Sequence, residues 1–286
     1  MITPVHIQTN AALTPPFGHH ALPRGREALR LKARRYGASK LGKWAISYTR
    51  KRAIDGLTPP FDVEIEPDLK ARLYPAGNRC EKRALAGVQI WDAKERAFMK
   101  AAITQSPNDF TFLDVGANIG LYSLYAAHYA RQAGTNINIH AIEPDTENKR
   151  RLIDNAAANG FALTLWPAAI SDVAGHSRLQ SHADNRGEIK LSEESDQGDS
   201  VTVTTLAQII TQSQLKRIDL LKLDIEGHDL RALTHLFENL DPSLYPHHLI
   251  IETAAPDDIP LTTLCYNQGY VVKGRGRLNL MLMRDN

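Results

Sequence analysis

The chain has 286 residues, 43% of them hydrophobic and 23% charged, with a formal net charge of +2; this is the composition of a globular protein long enough for one large domain and an extension. No apolar run approaches the ~18–20 residues of a membrane span. The first twenty residues hold Pro4, Pro15 and Pro16 but no Lys or Arg, unlike the basic start and apolar middle of a secretory leader, so a cytoplasmic protein is expected, with Cys80 and Cys265 as reduced, inert thiols. The charge is uneven. Residues 1–60 hold 11 Lys and Arg against 2 Asp and Glu, a net +9, and the rest hold 23 against 30, a net −7.

Residues 1–23 are rich in Pro, Thr, His and small residues without periodicity and read as disordered. Residues 24–54 carry the basic excess and put Leu41, Trp44 and Tyr48 on one helical face. A solvated helix lying on the acidic surface of the body accounts for this segment; so does binding of an anionic membrane surface or an acidic polymer through residues 24–52. RNA fits less well, because the aromatic signatures of RNA-binding modules are missing. Thr58-Pro59-Pro60 reads as a linker. Residues 1–60 therefore form a basic, partly disordered extension, of which residues 1–55 are expected to be dispensable for ligand binding. Partial alternation predicts a β-hairpin over 61–75 and a helix over 91–103, and residues 61–108 read as a flanking layer.

Over residues 109–286 strands alternate with helices, which predicts a parallel sheet. Strands are expected over 110–115, 137–142, 162–167, 218–223 and 248–251, and helices over 119–130, 145–159, 206–215, 229–240 and 260–267. Alternating runs at 177–180 and 188–191 read as an inserted hairpin, 201–205 as a further short strand, and 270–273 with 278–283 as a closing antiparallel pair.

The first of these strands runs into Gly116 and Gly120, with Asn118 between them. A strand, a glycine turn and a helix let backbone and unpaired N–H groups approach a ligand, although the spacing is not the GxGxxG of dinucleotide enzymes. Ligands in open α/β sheets sit beyond the carboxyl ends of the strands. Six acids fall at those ends: Asp114, Glu143, Asp172, Asp224, Glu226 and Glu252. Glu143 is placed to accept two ribose hydroxyls, or else to serve as a carboxylate at a helix N-terminus. No P-loop Gly-Lys-Ser/Thr is present. An acidic, phosphate-free site suits S-adenosylmethionine, which carries a sulfonium and an ammonium group, and so points to methyl transfer.

Lys222, Asp224 and Glu226 alternate, so an extended strand end turns all three one way. They form either a structural ion pair or a site that orients an acceptor hydroxyl, with Asp224 or Glu226 as base. His228 is a further titratable neighbour. Asp224, Glu226 and Glu252 also have the oxygen chemistry of a Mg²⁺ site, but no metal is assigned.

The motifs DVGANIG at 114–120, IEP at 142–144, AISD at 169–172, LLKLDIEGHD at 220–229 and IIE at 250–252 resemble the FkbM family of S-adenosylmethionine-dependent methyltransferases, over about residues 80–284. The resemblance implies an α/β class I methyltransferase fold, a Rossmann-like, mostly parallel seven-stranded sheet with helices on both faces. It implies O-methylation of a sugar, polysaccharide, polyketide or similar metabolite; an RNA methyltransferase using the basic head, or a non-catalytic member, are the rival readings. Carried over, Asp114, Gly116, Ala117, Asn118 and Gly120 form the cofactor loop, Glu143 the ribose contact and Asp172 an adenine-side contact. Ala207 and Asp229 depart from the family pattern, which has Asp and Glu at these places.

Overall fold

The computed structural model describes residues 2–106, 109–182, 185–192, 199–225, 227–253 and 259–285. The head holds strand β1 (Val5–Ile7) and helices α1 (Arg24–Lys32) and α2 (Lys40–Ile54). A hairpin of β2 (Phe61–Glu66) and β3 (Leu69–Leu73) leads through α3 (Arg79–Leu85) to α4 (Ala93–Gln105). The body begins with β4 (Phe110–Val115), α5 (Leu121–Ala133), β5 (Ile137–Ile142), α6 (Thr146–Asn159) and β6 (Leu163–Trp166). Four strands follow: β7 (Ala169–Ile170), β8 (Gly175–His182), β9 (Asn185–Ser192) and β10 (Asp199–Thr204). The chain closes with α7 (Leu206–Gln212), β11 (Leu220–Leu223), α8 (Asp229–Asn239), β12 (His248–Glu252), α9 (Ile259–Asn267), β13 (Tyr270–Arg275) and β14 (Asn279–Arg284).

The main sheet has the order β1-β6-β5-β4-β11-β12-β14-β13. The strands β6, β5, β4, β11 and β12 run parallel to one another, whereas β14 is antiparallel to both β12 and β13. The seven strands expected from the sequence are therefore present, and β1 adds an eighth along β6, antiparallel, with Val5 opposite Leu165. From β4 the chain winds outward to β6 and then returns to the other side of β4 at β11. That reversal is a topological switch point, where a crevice opens beyond the strand ends.

Alternation in the strands feeds two cores. Phe110 and Phe112 point into the layer with Tyr125, Met99 and Ile65, and Leu113 and Val115 into the opposite one with Leu223, Leu233 and Ile251. α6 is closed at both ends by local chemistry. The Asp145 side chain accepts the Asn148 N–H, and Gly160 takes the left-handed conformation at the C-terminus, where glycine has no Cβ to clash. The inserted hairpin of β8 and β9 joins β10 and β7 in a separate four-stranded sheet.

The head departs from its expectation. Residues 1–23 read as disordered by composition, but short Pro-rich segments are held here by tertiary contacts rather than by any periodicity of their own. Buried Arg72 pairs with buried Asp62 at 2.7 Å and also donates to the carbonyls of Pro15 and Pro16 at 2.9 and 3.2 Å. Asp62 in turn accepts the N–H groups of Gly18 and His20 at 2.8 and 3.1 Å. Nor do α1 and α2 lie on an acidic surface. Arg30 and Arg34 reach the backbone carbonyls of Leu85, Glu64 and Ile65, and Arg50 that of Lys82, while Ile46 packs with Ala33 and Ala86. Among the described residues no helix is long and apolar enough to cross a membrane.

Candidate active site

A cavity of about 260 Å³ opens at the switch point, lined from the ends of β4, β5, β11 and β12. Its floor is the turn after β4. Gly116 has φ +72°, and a Cβ there would stand 1.9 Å from the Asp224 carbonyl oxygen; only glycine lets this loop press against the turn after β11. Asn118 also has a positive φ, +53°, which Asn tolerates when its side chain bonds locally. Its Oδ1 accepts the Ile119 N–H at 2.8 Å and the Asn78 amide at 3.1 Å. Gly120 begins α5 in the left-handed region, and a Cβ there would meet Leu152 of α6 at 2.8 Å. Gly116, Ala117 and Asn118 line the cavity; Gly120 serves helix packing beside it.

Glu143 stands just beyond β5 and is buried against the floor. Its Oε2 accepts the Asn118 N–H at 2.7 Å and its Oε1 the Asp145 N–H at 3.0 Å. Burial pushes its carboxyl up to about 7 despite those bonds, since removing a charge from water disfavours the ionised form. Beyond it the wall is apolar, with Ala168, Ala169, Ile170 and Leu179.

Two of the acids expected to meet the ligand lie elsewhere. Asp114 points away from the cavity, into the layer between β4 and α5. Its Oδ2 accepts the Ser123 N–H at 3.0 Å and hydroxyl at 2.6 Å, tying strand to helix. Asp172 sits outside the wall, bound to Arg231 at 2.9 Å and to the Ser171 hydroxyl at 2.9 Å.

The other end of the cavity is built around a buried cation. Lys222 Nζ bonds the Gly116 carbonyl at 2.9 Å and the Asp224 carboxylate at 3.1 Å, and lies 5.5 Å from the centre of the Tyr122 ring. The expected alternation of Lys222 and Asp224 toward one side is therefore present as an ion pair; Glu226, the third member, lies outside the described residues. Burial opposes charge on Lys222, but the carboxylates of Asp224 and Asp114 outweigh it and hold the ammonium protonated. Burial likewise raises Asp224, but Lys222 and a hydrogen bond from Glu252 prevail and keep it below the usual carboxylate range. An ion-paired, depressed carboxylate is a weak base. Glu252 also lines this end. His228 is the residue before α8, with its Nδ1 3.3 Å from the Ser171 hydroxyl. Asp229, the departure from the family pattern, accepts the N–H groups of Ile225 and Gly227 at 3.4 and 3.3 Å and so shapes the turn after β11. Ala207, the other departure, is buried in α7.

Sequence reasoning missed the contribution of the flanking layer. Asp92 precedes α4 with φ +41°, and its side chain makes no cap bond to that helix. Its carboxylate instead accepts the Tyr122 hydroxyl at 3.1 Å and lines the cavity. Burial raises it and Glu95 adds to the rise, with Tyr122, Arg83 and Lys222 opposing. A non-glycine residue at positive φ whose side chain turns from its helix toward a cavity is a candidate for function. Arg79 and Arg83 of α3 and Arg277 of the β13–β14 turn complete the rim. No local motif announces these residues, because the tertiary fold alone brings them to the strand ends.

The chain is 26% identical over 170 residues to the 31-O-demethyl-FK506 methyltransferase FkbM of Streptomyces tacrolimicus, covering 49% of this chain and 64% of that protein. It is 25% identical over 152 residues to the hexuronic acid methyltransferase AglP of Haloferax volcanii, covering 51% of this chain and 59% of that one. The chain thus spans about three fifths of the length of these relatives. Among solved structures, the methyltransferase FkbM of Methylobacillus flagellatus superposes with a TM-score of 0.45 at 15% identity, over 91% of this chain and 58% of its own. The family model for the methyltransferase FkbM domain matches residues 114–270, more than half of the chain and the whole stretch from the glycine floor to the closing strands, and the chain belongs to that family.

Proposed function

We propose that this protein transfers a methyl group from S-adenosylmethionine to a hydroxyl of a carbohydrate or related metabolite. The observation that carries this reading is the position of Glu143: a buried carboxylate beyond β5, beside a backbone floor that no Cβ could occupy at Gly116. Its carboxylate would accept the two ribose hydroxyls, and Gly116, Ala117 and Asn118 would carry the methionine portion. The apolar wall at Ala169, Ile170 and Leu179 suits the adenine. When bound, S-adenosylmethionine supplies a methyl group already activated on a sulfonium.

The opposite end would take the acceptor. Lys222 and Asp224, fixed on each other, position the acceptor hydroxyl and shape the local field. Asp92 receives its proton, oriented by the Tyr122 hydroxyl. A positioned base of this kind contributes ~10²–10⁴-fold, and orientation of the reacting groups more. Arg83 and Arg277 at the rim favour acceptors with a carboxylate or phosphate. One relative is named for 31-O-demethyl-FK506 and the other for hexuronic acid, which supports an oxygen acceptor and a sugar acid among those to try.

Calorimetric titration with S-adenosylmethionine and S-adenosylhomocysteine tests the first half of this reading, and transfer of a labelled methyl group to hexuronic acids against neutral sugars tests the second. Absence of binding by either form of the donor would remove it.

A further inference from the structure

We infer that the outward face of α2 docks this protein on an anionic lipid bilayer. The helix has two unlike sides. Gly42, Ile46, Thr49 and Ala53 are buried against α1 and the end of α3. On the other side Leu41 is 81% exposed, Trp44 66% and Tyr48 52%, the largest exposures of apolar side chains in this layer. Positions 41, 44 and 48 follow one helical stripe. Leu31 of α1 and Tyr36 between the two helices are exposed as well.

The cations around this stripe divide into two sets. Arg30, Arg34 and Arg50 are spent inward, on carbonyls of the flanking layer. Lys32, Arg35, Lys40, Lys43 and Lys51 are exposed, and their side chains make no hydrogen bond or ion pair among the described residues. Interfacial helices combine these elements: an aromatic and aliphatic stripe at headgroup depth, with free lysines beside it for anionic headgroups.

The same features argue against a nucleic-acid platform. The rings of Trp44 and Tyr48 stack on each other, 5.5 Å apart and 12° from parallel, so each covers a face that a base would need, and Leu41 offers a base nothing. α2 also packs near the C-terminal end of α3, whose Arg79, Cys80 and Arg83 line the cavity. Docking through α2 would therefore place the cavity rim in the layer next to the bilayer.

The test needs neither donor nor acceptor, so it stands or falls apart from the methyl-transfer reading. The full chain is mixed with vesicles of phosphatidylcholine and phosphatidylglycerol in equal parts, or of phosphatidylcholine alone, and sedimented. Trp91 and Trp166 are buried, which makes Trp44 the tryptophan whose emission reports contact. Binding to the mixed vesicles with a blue shift is expected, at least tenfold weaker on the neutral ones. Each basic residue near an anionic surface contributes about fivefold. Combining Lys40→Glu, Lys43→Glu and Lys51→Glu should therefore weaken binding roughly 100-fold, and Leu41→Ser with Trp44→Ser at least about tenfold. These side chains point outward, and an unchanged thermal transition checks that the variants are folded; for a variant that fails this check, the two vesicle compositions and the Trp44 shift on the unaltered chain decide. Absence of binding to the mixed vesicles at low salt overturns the inference. So does binding of polyuridylate that the lysine variants abolish without any vesicle binding, or a concentration-dependent dimer that Leu41→Ser dissolves.

Discussion

The two ends of the cavity are built by different means. At the donor end the ligand would meet backbone: Gly116, Ala117 and Asn118 from one turn, with Glu143 held by N–H groups of that turn and of the next. At the acceptor end it would meet side chains collected from far apart in the chain: Asp92, Lys222, Asp224, Glu252 and Arg277. A backbone cradle can be altered by adding a single carbon. A side-chain cluster tolerates changes of size but not of charge. The donor end should therefore resemble that of relatives with other acceptors, while the acceptor end would set what is methylated.

Four substitutions test that contrast, from the largest effect to the smallest. Asp92→Asn keeps the shape and removes the proton acceptor. Turnover should fall by ~10²–10⁴-fold, while the dissociation constant for S-adenosylmethionine, measured by calorimetry, stays unchanged; a parallel loss of donor affinity would show that the two ends are not separate. Gly116→Ala forces a Cβ into the Asp224 carbonyl at a positive φ. It should lower both donor affinity and thermal stability, by roughly 2–4 kcal/mol, seen in titration and in the unfolding curve.

Glu143→Gln should weaken donor binding by roughly 10–100-fold, the scale of one or two charge-assisted hydrogen bonds. The pH dependence gives the sharper result. The carboxyl titrates near 7 because burial disfavours its charge, and it must be ionised to accept two hydroxyls. Donor affinity should thus rise with pH through about 7 in the unaltered protein and be flat in the variant. The stability contribution has the opposite sense: a carboxyl raised above its unfolded value favours folding at acidic pH, and that contribution is lost as pH climbs from its unfolded value through about 7. The smallest effect belongs to Asp172→Ala. Its partner Arg231 is half exposed, and such pairs are worth about 0–1 kcal/mol. Donor affinity should not change; a clear loss would return Asp172 to the adenine side.

Much of this architecture is legible in the sequence because it rests on local chemistry. The apolar runs at 110–115 and 137–142 coincide with strands β4 and β5, and Gly160 ends its helix as its conformation requires. Glu143, expected at the ligand from its place just after a strand, does line the cavity. Asp114 and Asp172 look the same in sequence yet face Ser123 and Arg231, since the direction of a strand-end side chain depends on the helix packed over it. Asp92 is illegible for a deeper reason: its neighbours Tyr122 and Lys222 come from the body, and no spacing encodes that meeting. The head misled in a similar way, because its order comes from Arg72 and Asp62, outside the head itself.

The short strand β1 has a consequence beyond the site. A parallel sheet that ended at β6 would offer a row of free N–H and C=O groups to any passing chain, the usual start of edge-to-edge aggregation. β1 takes up that row from Val5 to Ile7 and is too short to template another strand. The far margin is guarded differently: β13 is broken in register between Val272 and Gly274 and carries exposed Lys273 and Arg275. Both margins of the main sheet are thus unsuited to edge-to-edge pairing with a second copy.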